Sequence, residues 1–185
     1  MKIITRDFIS IFNAFWYRDF PLAKDFKEIG TRAEWTIHLG VCTRATSDLL
    51  GYFTYFESGG RTDAVIKDNN EETIANLEWE WKEPRFIAKV NEVRQLYDNR
   101  ESCQFSVFVS YSDDRYHDIN LKAVVDQWGD AAEPLVLILI RFKRKNRRLF
   151  DLMETYHIQN GNVRKVKKQK ALPWQVPGKR WEDQR

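Results

Sequence analysis

Arg61–Lys82, RTDAVIKDNNEETIANLEWEWK, reads as two short strands joined by a polar turn at Asp68–Glu72. Alternation over Ile74–Lys82 puts Leu77, Trp79 and Trp81 on one face and Asn76, Glu78, Glu80 and Lys82 on the other. Same-face neighbours on a strand are about 7 Å apart, so Glu78 and Glu80 reach a common centre. Asp63, on the preceding strand, supplies a third carboxylate. Oxygen donors gathered in this way suit a hard divalent cation, Mg²⁺ or Mn²⁺, which keeps several waters and binds substrate phosphate. A half-buried strand also carries charge on its wet face, and that plainer reading stands beside the metal one.

The order of elements around the stretch distinguishes the two readings. A helix with Glu34 is followed by an aromatic strand (Gly51–Glu57), the Asp63 strand, the Glu78 strand, a second helix and a fourth strand (Gln104–Tyr111). This order, with Thr62-Asp63 and Glu78-Trp79-Glu80, resembles the PD-(D/E)xK nuclease superfamily, the restriction-endonuclease-like fold. The resemblance covers roughly Thr31–Tyr111. Thr62 stands where the family has proline, and Glu78-x-Glu80 takes the Glu-x-Glu form of its motif. Glu80-Trp81-Lys82 also fits and restores the usual lysine. The Gln-x-x-x-Tyr helix signature of one branch is absent, because Val93 stands four residues before Tyr97.

The resemblance implies a metal-dependent nuclease acting on DNA. Asp63, Glu78, Glu80 and Glu34 would be its metal ligands, and Asp63, Glu78, Glu80 and Lys82 its catalytic group. Glu34 also fits a capping box with Thr31. The alternative is an inactive nucleic-acid-binding or assembly protein that keeps the fold.

Length bounds the rest. A chain of 185 residues, 43% hydrophobic with 8 Gly and 5 Pro, is expected to form one folded domain, preceded by a helical extension over 1–30 and followed by a basic one over 160–185. The expected class is α/β (α+β), a mixed central sheet flanked by helices. The formal net charge of +3 hides an uneven distribution. Arg141–Arg148 holds six Lys/Arg and no acid, and Asn162–Arg185 holds eight against two acids. Arg61, Lys143, Arg144, Lys145, Arg147, Arg148, Arg164, Lys165, Lys167 and Lys168 are therefore candidate phosphate contacts. Trp174 and Trp181 are candidates for stacking on bases.

Cys42 and Cys103 lack metal-ligand spacing with His38, His117 and His157, and read as buried free thiols. The expected protein is soluble and cytoplasmic, with no small organic cofactor; a homodimer is left open. Asp7–Phe20 reads as an amphipathic helix that covers the core or meets a second copy. Thr31–Leu50 reads as a helix with Trp35, Leu39, Cys42, Thr46 and Leu49 inward and His38 at a polar border. A helix from Pro84 to near Asp98-Asn99 and another over Arg115–Trp128 are expected next. Leu135–Phe142 reads as a strand buried on both faces, and Arg147–Lys170 as a hairpin turning at Asn160-Gly161. The terminal ALPWQVPGKRWEDQR reads as extended or loosely attached.

Overall fold

The structure, a computed structural model, describes residues 1–18, 20, 31–58, 62–86, 91–145 and 148–177. Its centre is a seven-stranded mixed sheet in which every strand lies beside its neighbour in sequence, in the order β1 to β7. The strands are β1 (Phe53–Ser58), β2 (Thr62–Lys67), β3 (Thr73–Glu80), β4 (Phe105–Asp113), β5 (Leu135–Arg144), β6 (Arg148–Gln159) and β7 (Asn162–Lys170). The first three form the antiparallel meander expected from the sequence. β3, β4 and β5 run parallel, and β5, β6 and β7 are antiparallel.

Four helices cover this sheet: α1 (Ile3–Phe15), α2 (Arg32–Leu49), α3 (Glu92–Asp98) and α4 (His117–Trp128). α3 and α4 lie in the two crossovers that link the parallel strands. Successive crossovers of one hand step across a sheet on the same side, and both helices pack on one face with Phe108, Leu137 and Leu139. α1 and α2 cover the other, where Leu77, Val107 and Ile138 meet Phe8, Phe12 and Trp35. β5 contributes to both cores, which explains its unbroken Leu135–Ile140 run.

Local signals account for most boundaries. Thr31 and Glu34 form a complete capping box at the start of α2. Gly129 ends α4 at φ +58°, and Asn160 and Gly161 both take positive φ, as the turn between β6 and β7 requires. α1 is core cover: Phe8, Phe12 and Trp16 are fully buried.

Four expectations are corrected. The second helix does not begin at Pro84. Glu83–Phe86 forms a turn, with the Phe86 N–H bonded to the Glu83 carbonyl, and α3 covers only Glu92–Asp98. The Glu83 carboxylate anchors this turn by accepting from Arg85, the Asp113 N–H and Asn120. His38 is no border residue, because it lies buried among the rings of Trp16, Phe20 and Trp35. Leu49, expected inward, is exposed as the last residue of α2. The stretch after β7 is attached through its described part. Ala171 and Leu172 are buried, Trp16 Nε1 donates to the Ala171 carbonyl at 2.8 Å, and Trp174 packs edge-on against Phe20.

Candidate metal and phosphate site

The site forms where β2 leaves β3. The last paired residues there are Ala64 and Leu77, so the next step in register sets Asp63 opposite Glu78 on the same face. Beyond that point the Trp79 N–H has no β2 carbonyl, and Asp63 Oδ2 accepts from it at 2.8 Å. β3 continues past this gap, paired on its other side with β4, where Glu80 is level with Ser110. Leu77, Trp79 and Trp81 face the α1/α2 core, and Glu78 and Glu80 face away from it, as the alternation predicts.

Glu78 is 3% exposed, and among the described residues its Oε1 has no hydrogen-bond partner. Burial first, and then the adjacent Asp63, push its carboxyl up to about 9. Asp63 is also raised, first by burial, with Glu80 and Glu57 adding to the effect and the Trp79 N–H opposing it. A fourth acid joins from α3. Glu92, in that helix's first turn, is raised by burial and by Glu80 and Asp63, and its Oε2 is likewise buried without a donor. Glu80 lies between the groups: its Oε1 accepts from the Lys82 N–H at 2.9 Å and is 3.6 Å from Arg32. Four carboxyl groups therefore share one neighbourhood. Among the described residues no three Asp, Glu, His or Cys side chains are already in cation-binding geometry.

Two candidates fall outside this group. Glu34 gives its carboxylate to the capping box, accepting from the Thr31 N–H, and is exposed on α2. Lys82 lies past the end of β3 in a bend, exposed, and no carboxylate is within ion-pair distance of its ammonium among the described residues. The strand end thus separates the two motif registers. Glu78 and Glu80 face the site from within β3, whereas Lys82 has left the alternating face.

The candidate phosphate contacts divide in the same way. Arg61 and Arg147 lie outside the described residues, as does Trp181. Lys143, Lys145 and Arg164 are exposed. Arg144 is 3.6 Å from both Glu83 and Asp113. Arg148 turns inward: its guanidinium lies over Trp81 and Phe142, donates to the Trp81 carbonyl at 3.0 Å, and is lowered to about 10, chiefly by burial. Lys165 and Lys168 pair with Glu154 at 3.0 and 3.9 Å, and burial lowers Lys167. Trp174 is partly buried and packs against the α1/α2 core.

Sequence reasoning missed Glu92, because the helix predicted from Pro84 placed it in mid-helix and not in a first turn beside β3. It also missed a second buried polar group. Glu154, fully buried on β6, meets Tyr156, Lys165, Arg141 and His117. Burial alone would raise Glu154, but these partners outweigh it and hold the carboxyl at about 2. His117 Nδ1 lies 3.2 Å from Ser112, which also accepts from Asn120, and Asn120 donates to Glu83. Every charge here has a partner, so the network ties the end of β4 to the middle of β6.

No family model matches the chain, and no curated protein matches it. Among solved structures it is similar to the YaeQ protein from Xanthomonas axonopodis pv. citri, at 6% identity and TM-score 0.32, over 78% of this chain and 85% of that one. Overlap that slight carries no weight for fold family or function. No helix among the described residues is long and apolar enough to cross a membrane.

Proposed function

We propose that this protein is a divalent-metal-dependent nuclease that hydrolyses phosphodiester bonds in DNA. The observation that carries the reading is the Asp63–Glu78 pair: two carboxyls face each other where β2 leaves β3, and a buried Glu78 oxygen has no donor. A buried acid in that state is costly unless a proton or a cation satisfies it. The order α2-β1-β2-β3-α3-β4 and the Glu78-x-Glu80 spacing support the same reading.

Mg²⁺ or Mn²⁺, when bound, would polarise a phosphate oxygen and lower the pKa of a coordinated water. Asp63 and Glu78 would hold the ion, and Glu78 would give up its proton on binding. Glu80, paired with Glu92, would accept the proton of the attacking water. Arg32, next to Glu80 and largely exposed, would contact the phosphate.

Incubation with supercoiled, linear duplex and single-stranded DNA, with Mg²⁺, Mn²⁺ or EDTA, tests the proposal. Cleavage should require metal and vanish in Asp63→Asn and Glu78→Gln, both still folded. Metal-independent cleavage, or full activity in either variant, sinks it.

A further inference from the structure

Asp63 and Trp79 stand where two recesses meet. One is polar, about 180 Å³, and reaches Arg32, Glu80 and Tyr111. The other is a mainly apolar groove of about 370 Å³, walled by Ile37, Gly40 and Val41 on α2 and by Phe56 on β1. The two also share Thr36, so they lie side by side at Asp63. Ile37, Val41 and Phe56 keep 64%, 39% and 38% of their surface exposed, unusual for apolar side chains grouped beside a charged site. The Arg44 guanidinium lies over the Phe56 ring, 4.8 Å from its centroid, so a cation and an aromatic face are presented together at the groove.

We infer that this groove takes a nucleobase flanking the phosphate at Asp63, so that the preferred substrate is single-stranded or frayed nucleic acid. The inference rests on the nuclease reading for the phosphate but not for the base. With the Phe56 ring, aliphatic walls, the Arg44 guanidinium and the Glu57 carboxylate, the groove offers stacking surface and a few polar groups at its edge, a composition that receives unstacked bases. Bases stacked inside a duplex do not project far enough to enter it. The size also fits, since pockets for small ligands begin at about 300 Å³. Gly40 keeps the wall low: a Cβ there would meet the Phe56 ring at 3.5 Å, so a longer side chain would extend into the groove.

The test uses the full chain in EDTA with deoxyadenosine, which has no phosphate and so does not depend on the carboxyl cluster. Saturation-transfer NMR should show stronger transfer to the base protons than to the sugar. Phe56→Ala, which removes the stacking ring, and Gly40→Leu, which fills the groove, should each weaken binding about ten-fold, with melting curves confirming that both variants fold. Single-stranded oligonucleotide should displace deoxyadenosine and blunt duplex should not. Absence of transfer to the base, an unchanged affinity in both folded variants, or equal displacement by duplex overturns the inference. Deoxyadenosine binding with no metal-dependent cleavage would remove the nuclease reading and leave the groove assignment standing. Metal-dependent cleavage without base binding would do the reverse.

Discussion

With 3% exposure and an Oε1 that meets no donor, the Glu78 carboxyl keeps its proton up to about pH 9. Its folded pKa is raised above the ordinary 4.5, so its contribution to stability is fully present below pH 4.5 and is lost as pH rises through about 9. Metal-free protein should therefore lose on the order of 2 kcal/mol between pH 7 and pH 10. Glu78→Gln, which cannot ionise, should flatten that part of the profile; urea melts across the range measure it. Divalent metal must displace the same proton. At pH 7, Mg²⁺ binding should release about one proton, read as a dependence of calorimetric heat on buffer ionisation enthalpy. Equal heats in phosphate-free buffers of different ionisation enthalpy would show that Glu78 is not a ligand.

At the scale of elements, Arg148 and the chain after β7 show how basic and aromatic residues became structural. Arg148 begins β6 with its guanidinium over Trp81 and bonded to the Trp81 carbonyl, which fastens the start of β6 to the end of the acidic strand. Arg148→Ala should lower stability by about 1–3 kcal/mol while leaving the salt dependence of DNA binding unchanged. β7 pairs with β6 along its length, and Ala171 and Leu172 complete the α1/α2 core. Deleting the chain from Gly161 onward should therefore unfold the protein and not merely discharge it, and the loss of a cooperative melt in the truncated chain checks this. The Glu154 and Asp113 carboxyls, both held at about 2, act in the opposite sense to Glu78. Their stabilising effect is present above the ordinary carboxyl range and lost as pH falls towards 2.

Across the whole molecule, charge and chemistry are spatially separated. From β2 to β7 is five strand spacings, about 24 Å, so the lysines of β7 lie too far away to act at Asp63. Lys143, Lys145 and Arg164 are exposed, and among the described residues none has a carboxylate within ion-pair distance. Replacing all three with Gln should weaken DNA binding for every sequence and reduce the slope of log K against log salt by about 2–3. An unchanged slope would place the phosphate contacts elsewhere.

Periodicity and turn chemistry are properties of short stretches, and these the amino-acid sequence determined by itself. The alternation that aims Glu78 and Glu80 away from Leu77, the capping box at Thr31, the doubly buried β5 and the Asn160-Gly161 turn all follow from neighbouring residues. Tertiary structure alone decided which charges would remain free. Arg148 lies on rings distant in sequence, Trp174 packs against Phe20, and His38 is buried against Trp16 and Phe20. Glu92 meets Glu80 and Asp63 from α3, an element remote from both strands in its local pattern. Burial and ion pairing depend on what arrives from elsewhere in the chain, and no local pattern encodes that arrival.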